Sequence, residues 1–179
     1  MRVDRSTKEN LQKTDIENVV FREDVRAEDI KEIERITLET GYFNDEEIKA
    51  ARELVQERLI KGPFCGYNFI FAQFEQYLVG YTCYGPIPGT DQRYELYWIA
   101  VDTPYQGLGI GKKLLLLTEK RIREMGGEKI FLETSSRPLY TRTRDFYLRS
   151  GYVEEALVKD FYALGDHKII LSKSIAPRL

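Results

Sequence analysis

The sequence predicts an α/β protein with a central mixed, mostly antiparallel sheet of about seven strands and helices on both faces. Segments with helical periodicity alternate along the chain with segments rich in aromatic and β-branched residues. Three strand-like segments follow one another, YNFIFAQF, YLVGYTCY and RYELYWIAV, which is typical of an antiparallel meander. A long helical segment then precedes the strand-like KIFLET. A crossover helix between two strands implies that those strands are parallel.

The first elements of this fold are one strand and two helices. Residues 19–25 predict a strand, and the acidic residues after it are typical of a helix N-terminus. Asn44 is a good N-cap for DEEIKAARELVQERLI, whose apolar residues recur at helical spacing, and Gly62-Pro63 ends that helix. Two amphipathic helices are therefore expected before the meander.

The last elements follow the meander in alternation. A helix with an apolar stripe is predicted from Gly107 to Gly126-Gly127, and a short helix in TRTRDFYLRS ends at Gly151. The segment YVEEALVKDFYALGDHKIILSKSI predicts two final strands around a loop. The expected order is strand, two helices, three strands, helix, strand, helix and two strands.

Composition excludes several classes of function. The 27 basic and 29 acidic residues nearly cancel, so no basic surplus indicates a nucleic-acid partner. The longest aliphatic run, Leu114 to Leu117, is far below the ~18 residues of a membrane span. His167 is the only histidine, and Cys65 and Cys83 are too few for a zinc tetrad, so no metal site is expected.

The same features suggest one domain in a reducing compartment. Residues 1–18 are polar and aperiodic and are interpreted as an N-terminal arm, and residues 19–179 as a single domain. The first residues, MRVDRSTKEN, lack the apolar core of a secretory signal, and two cysteines do not suggest a disulfide framework. A cytoplasmic location is the expectation.

Three alternate glycines, at positions 107, 109 and 111, stand where the long helix begins. One interpretation is that these glycines allow a tight turn that binds no ligand. The other is that, without side chains, they leave the backbone N–H groups of the helix N-terminus accessible to an anion. A dinucleotide-binding G-x-G-x-x-G motif would need glycine at Lys112, and a P-loop would need glycine at Gln106. Both nucleotide motifs are therefore excluded.

A third pattern matches the same loop. Gln106-Gly107-Leu108-Gly109-Ile110-Gly111 fits Q/R-x-x-G-x-G/A, the acyl-CoA pyrophosphate motif of the GNAT N-acetyltransferases, and RDFYLRSGYV resembles the later FY signature of that family. The resemblance covers about residues 19–174, and its closest-looking motifs are those of ribosomal-protein N-terminal and small-amine acetyltransferases. It implies the GNAT fold, with the fourth and fifth strands splayed apart, and acetyl-CoA as co-substrate.

The resemblance also implies how acetyl-CoA is held. The fourth strand is Tyr94 to Val101 by position, so the backbone of Ile99 and Val101 is expected to pair with the pantetheine. The pyrophosphate is expected at the motif glutamine and the amides that follow it; these residues are Gln106, Gly107, Leu108, Gly109, Ile110, Gly111 and Lys112. The Lys112 side chain either adds a charge contact or is simply solvated.

Acetyl transfer to an amine needs a base, because an alkyl ammonium with a pKa near ~10 is protonated at neutral pH. An acid helps the CoA thiolate to leave. The resemblance places the acid at Tyr147, which is otherwise a core aromatic beside Phe146. It places the base at Glu133, ranked slightly before Glu95; either carboxylate is otherwise a strand-end surface group.

The acceptor is the least determined part. Phe161 and Tyr162 lie in a segment that resembles the acceptor-binding loop between the sixth and seventh strands, although Asp-His there is ordinary turn chemistry. The expected function is acetyl-CoA-dependent N-acetylation of a small amine, amino acid or amino sugar. The alternatives are acetylation of a protein N-terminus or lysine, and a non-catalytic acyl-CoA-binding module. Relatives often complete the acceptor pocket with a second subunit, which leaves a homodimer open.

Overall fold

The computed structural model describes residues 18–176, which form seven strands and four α-helices. The strands are β1 (Val20–Arg22), β2 (Asn68–Phe74), β3 (Tyr77–Pro86), β4 (Arg93–Val101), β5 (Lys129–Ser135), β6 (Val153–Ala163) and β7 (Asp166–Ser174). The helices are α1 (Asp29–Thr40), α2 (Asp45–Lys61), α3 (Ile110–Glu124) and α4 (Thr141–Arg149). The predicted N-terminal arm lies outside the described residues except for Asn18.

All seven strands belong to one mixed sheet with the order β1-β2-β3-β4-β5-β7-β6. β4 and β5 are parallel, whereas β1 and β2, β5 and β7, and β6 and β7 pair antiparallel. The predicted fold class and element order are confirmed. The parallel pair is the one that α3 connects, as expected for a crossover helix.

The pairing between β4 and β5 is short. Arg93, Tyr94 and Glu95 face Lys129, Ile130 and Phe131. β4 then continues to Val101 and β5 to Ser135, and no further register between these two strands is found within the described residues. The registered pairing of the fourth and fifth strands therefore covers three residues of each strand.

By their contacts, the described residues divide into two compact units. Of the described residues, the first unit contains residues 18–82 together with Ile99–Leu115, and the second contains Cys83–Trp98 and residues 116–176. The assignment of residues 19–179 to a single domain stays a prediction.

The core of the first unit lies beneath α1 and α2. Ile33, Ile36 and Val55 are fully buried, as the helical periodicity predicts. The Asn44 side chain accepts the Glu47 N–H at 3.0 Å, and the Glu47 carboxylate accepts the Asn44 N–H at 2.8 Å. This capping box confirms the predicted start of α2.

An arginine on α1 anchors the end of β4 within this unit. Arg35 donates to the carboxylate of Asp102 at 2.8 Å and to the carbonyl oxygen of Leu78 at 2.8 Å. Burial is the largest single effect on the pKa of Arg35, and it lowers that pKa. The hydrogen bonds and negative charges of Asp102 and Glu32 together exceed it, so the pKa of Arg35 is raised. Asp102 directly precedes the glycine loop, so this ion pair holds the strand end from which the loop departs.

The second unit has its own core and a buried ion pair. Ile122, Ile130 and Leu171 are buried there. Lys173 on β7 reaches both carboxylate oxygens of Glu119 on α3, at 2.8 and 2.7 Å. Because Glu119 is almost fully buried, the lysine supplies the charge that a buried carboxylate needs.

Two element boundaries differ from the predicted ones. β1 ends at Arg22 rather than near Val25, because Arg22 pairs with Asp29 and the Arg26 N–H also donates to Asp29, which turns the chain into α1. α3 begins at Ile110 rather than Gly107. The residues from Gly107 to Gly109 are a loop before the helix, and that loop is a candidate site within the first unit.

Candidate active site

The glycine loop, defined here as Gln106 to Lys112, connects the end of β4 to α3 in the first unit. Gly107 and Gly109 have φ values of 78° and 93°, in the left-handed region that favours glycine. A Cβ built on either residue would have no neighbouring heavy atom within 4 Å. Glycine is thus required there by backbone conformation, and the space beside the loop is open.

Gly111 differs from these two glycines. It has an ordinary helical backbone, and a Cβ built on it would lie 3.5 Å from the Cγ2 atom of Val101, a normal van der Waals contact. Alanine would therefore fit at this position. This explains physically why the motif accepts glycine or alanine at its last position but requires glycine at Gly109.

The amides of the loop suit an anion. Lys113 N–H donates to the carbonyl oxygen of Gly109 at 3.0 Å and makes the first intrahelical bond. The N–H groups of Ile110, Gly111 and Lys112 therefore have no acceptor inside the helix, and they lie at its positive end. Ile110 is buried, so its side chain does not cover the outside of the loop. Bare amides beside open space fit a pyrophosphate.

Gln106 supports the loop from within the chain. Its Nε2 donates to the carbonyl oxygen of Val101 at 2.9 Å. Nearby, the Thr103 hydroxyl donates to the carbonyl oxygen of Glu39 on α1 at 3.0 Å. The structure thus gives Gln106 a bracing contact that the motif did not reveal. Its predicted contact with CoA stays a prediction, as do those of the other residues of the glycine loop and of Ile99 and Val101.

A separate candidate site is a face of the sheet in the second unit. Glu95 on β4 lies opposite Phe131 on β5, and Glu133 is two residues further along β5. Glu133 in turn lies opposite Ile170 on β7, two residues from Lys168. Since side chains at every second residue share one side of a strand, Glu95, Glu133 and Lys168 all lie on one face. We refer to these three residues as the carboxylate face.

Lys168 is bound tightly on this face. Its Nζ lies 2.6 Å from Oε2 of Glu133 and 3.6 Å from the centre of the Phe161 ring. The Lys168 side chain is only 13% exposed, although the Glu133 side chain is 39% exposed. Glu133 is therefore neutralised by a partly enclosed lysine.

Glu95 has a different environment on the same face. It is half-buried, and its pKa is raised above its ordinary value. Burial is the main cause, the negative charge of Glu133 adds to it, and the positive charge of Lys168 opposes it. A carboxylate with a raised pKa is a better proton acceptor near neutral pH than an ordinary surface carboxylate.

Tyr147 is buried on α4, with 5% of its surface exposed. Its ring centre lies 5.2 Å from that of Phe146 and 5.5 Å from that of Tyr152, both in edge-on geometry. Burial raises its pKa above the ordinary value. The phenol consequently keeps its proton at neutral pH.

Phe161 and Tyr162 lie inside β6 rather than in the predicted loop. The register between β6 and β7 shifts between Val158 and Ala163, and Asp160 has a φ of 52°. This bulge carries the aromatic pair, and Phe161 covers Lys168. The Asp160 carboxylate accepts the Gly165 N–H at 2.8 Å, so Asp160 does serve the turn. The sequence could not reveal the bulge, because it depends on the pairing with β7.

Residues 18–176 contain no group of three or more histidine, cysteine, aspartate or glutamate side chains placed to hold a metal ion. Within the same residues, none of the helices has both the length and the apolar character required to span a membrane.

Known proteins resemble this chain in sequence and in structure. The model of the GNAT acetyltransferase family matches residues 27–152. A crystal structure from Desulfovibrio desulfuricans, of a protein assigned to the same family, is 44% identical, and the match covers 88% of this chain and 99% of that one with a TM-score of 0.87. None of the curated protein sequences is a significant match.

More distant structures share the fold. An aminoglycoside 6'-N-acetyltransferase complexed with coenzyme A is 21% identical, over 89% of this chain and 99% of that one, with a TM-score of 0.70. The ribosomal-protein-S18-alanine N-acetyltransferase of Escherichia coli is 17% identical, over 90% and 96%, with a TM-score of 0.72. The family model and the Desulfovibrio relative confirm the resemblance seen in the sequence: the chain belongs to the GNAT family and is an acetyltransferase, of a family that uses acetyl-CoA.

Proposed function

We propose that this enzyme transfers the acetyl group of acetyl-CoA to a primary amine by direct attack in a ternary complex, and that the acceptor is a small amine, amino acid or amino sugar. The observation that carries this proposal is the carboxylate face. Two carboxylates and one lysine leave one net negative charge there, and the carboxylate without the lysine contact has a raised pKa. This arrangement attracts one ammonium group and can take its proton.

The glycine loop is proposed to bind the donor. The amides from Gly107 to Lys112 would hold the pyrophosphate, with Gln106 bracing the loop and the exposed Lys112 side chain adding positive charge. The backbone of Ile99 and Val101, beyond the paired part of β4, would pair with the pantetheine as an added strand. When bound, acetyl-CoA supplies the activated acetyl group as a thioester.

Glu95 is proposed as the base, directly or through a water molecule. An alkyl ammonium with a pKa near ~10 must lose its proton before its nitrogen can attack a carbonyl carbon. Glu133, which the sequence ranks first, is already paired with Lys168 at 2.6 Å, so its carboxylate is less available to contact an incoming ammonium group. The contacts on this face therefore reverse the order of the two candidates in our proposal.

Tyr147 is proposed as the acid. The thiolate of CoA leaves more easily when a proton is supplied to its sulfur, and a buried neutral phenol can donate one. Tyr152 also lies in the segment that carries the FY signature, but the family motif assigns the acid to Tyr147. The role of Tyr147 rests on the resemblance and on its protonation state, and a substitution tests it directly.

An acceptor screen tests the proposal. The protein is mixed with acetyl-CoA and separately with alkylamines, amino acids, amino sugars and a peptide with a free N-terminus, while the release of free thiol is followed. We expect acceptor-dependent release with a member of the first three groups. Release with the peptide alone would show that the acceptor class is wrong, and no release with any primary amine would contradict amine acetylation.

A further inference from the structure

Lys168 occupies a position that would otherwise suit a bound ammonium group. Its Nζ lies between a carboxylate, Glu133 at 2.6 Å, and an aromatic face, Phe161 at 3.6 Å, with the Tyr162 ring centre 6.0 Å away. A carboxylate and an aromatic ring around one point are the groups that recognise organic cations in binding sites. We call Glu133, Phe161 and Tyr162 the cation box.

The cation box is filled by the chain itself. The Lys168 side chain is 13% exposed, and it comes from near the start of β7, where Lys168 lies opposite Ser135 on β5 and Val158 on β6. Because the backbone of Lys168 is held by strands on both sides, its side chain reaches the box without ordering a flexible segment. An external ammonium group would have to displace an ion pair that is already in place.

We propose that Lys168 is a specificity-determining residue, which fills the cation box so that the acceptor is held through one ammonium group at Glu95 and gains nothing from a second. The inference rests on the proposed function for the role of Glu95. It goes further by naming the acceptor class, a monoamine rather than a diamine. Of the charged groups on this face, Glu133 from β5 and Lys168 from β7 act on Glu95.

Replacement of Lys168 should open the box. In Lys168→Met the hydrophobic stem is retained and the charge is removed, so Glu133 and Phe161 become available to an outside cation. We expect the ratio of kcat/KM for 1,4-diaminobutane to that for butylamine to rise about tenfold relative to the wild type, the size of one carboxylate and cation–π contact. Lys168→Arg should keep the wild-type ratio, and Lys168→Met combined with Glu133→Gln should return towards it.

A binding measurement separates this inference from the proposed function. Methylammonium is titrated into wild-type protein and Lys168→Met while the NMR signals of the Phe161 ring are observed. We expect saturable shifts in Lys168→Met that are clearly larger than any in the wild type or Lys168→Arg, whether or not the protein acetylates amines. Unmoved Phe161 signals in a folded Lys168→Met protein, or equal shifts in the wild type, would overturn the inference. Lys168→Gln serves as the second variant if Lys168→Met does not fold.

The two tests fail in different ways. If the wild type acetylates no amine but the Phe161 signals of Lys168→Met respond to methylammonium, the proposed function is wrong and the filled cation box stands. If the wild type acetylates amines and the diamine ratio does not change in Lys168→Met, the function stands and the inference is wrong.

Discussion

The glycine loop offers backbone amides to its ligand, whereas the carboxylate face offers charged side chains. In the loop, Gly107 and Gly109 keep the space beside the amides open, and Ile110 turns its side chain into the core. On the face, Glu95 and Glu133 have the same chemistry but different environments, because Lys168 contacts only one of them closely. The glycine loop therefore depends on the absence of side chains at its glycines, whereas the carboxylate face depends on which charged side chains contact each other.

This difference predicts where substitutions act. A change in the loop should alter donor binding through backbone strain and leave the acceptor chemistry intact. A change on the carboxylate face should alter proton transfer and leave donor affinity intact. The following predictions test that separation, beginning with the largest expected effect.

Glu95→Gln should lower kcat about 10²–10³-fold, because it removes the proposed base while keeping the side-chain shape. Glu133→Gln is the matched control and should lower kcat less than about tenfold, since Glu133 is neutralised by Lys168. Steady-state thiol release measures both, and calorimetry should give unchanged CoA affinity. Equal losses in the two variants would remove the distinction between the carboxylates.

Tyr147→Phe should lower kcat about 10–100-fold with CoA affinity unchanged, because only the proton donor is lost and the ring still packs against Phe146 and Tyr152. Tyr94→Phe, which removes the hydroxyl of another buried tyrosine in the second unit, is the control and should change kcat less than about twofold. Wild-type turnover in Tyr147→Phe would show that another group protonates the thiolate.

Gly109→Val should weaken CoA binding about tenfold or more, because a β-branched residue is strained by more than about 1 kcal/mol at a φ of 93°. Gly111→Ala is the control and should change the affinity less than about twofold, since its Cβ has room beside Val101. Titration calorimetry with CoA compares the two. If both variants bind like the wild type, the loop does not hold the pyrophosphate.

The pH dependence should report Glu95. Because the base must be deprotonated and the pKa of Glu95 is raised above its ordinary value, kcat/KM should rise with pH through an apparent pKa above 4.5. Glu133→Gln removes a negative charge near Glu95, which should lower the pKa of Glu95 and move the rise in kcat/KM to lower pH. The profile is measured under subsaturating acceptor. If the rise in kcat/KM with pH is not shifted by Glu133→Gln, it reports the ionisation of a group other than Glu95.

The smallest effect is on stability. The pKa of Glu95 is raised by folding, so its ionised carboxylate destabilises the folded protein at pH values above that raised pKa. This destabilisation is absent below the ordinary pKa, where the group is protonated in both the folded and the unfolded state. Glu95→Gln should therefore raise the melting temperature at pH 7 slightly, and the gain should shrink as the pH falls towards 4. Thermal unfolding at both pH values measures it. A loss of stability at pH 7 would mean that the Glu95 carboxylate has a favourable partner.

The sequence alone determined the glycine loop, the capped start of α2 and the order of elements. These features depend on interactions between residues close in the chain, such as the left-handed glycines, the Asn44 capping box and the periodicity of apolar residues. The motif also identified the family, because the backbone conformation of a loop limits which residues can occupy it.

Only the tertiary structure decided how the two carboxylates differ. Glu133 meets Lys168 because β5 pairs with β7, and Phe161 reaches that lysine because β6 bulges against the same strand. Glu95 joins them through the short parallel pairing of β4 with β5. A sequence specifies that these residues are charged or aromatic, but the charge that each one feels depends on strand register and burial, which are set by contacts between distant segments.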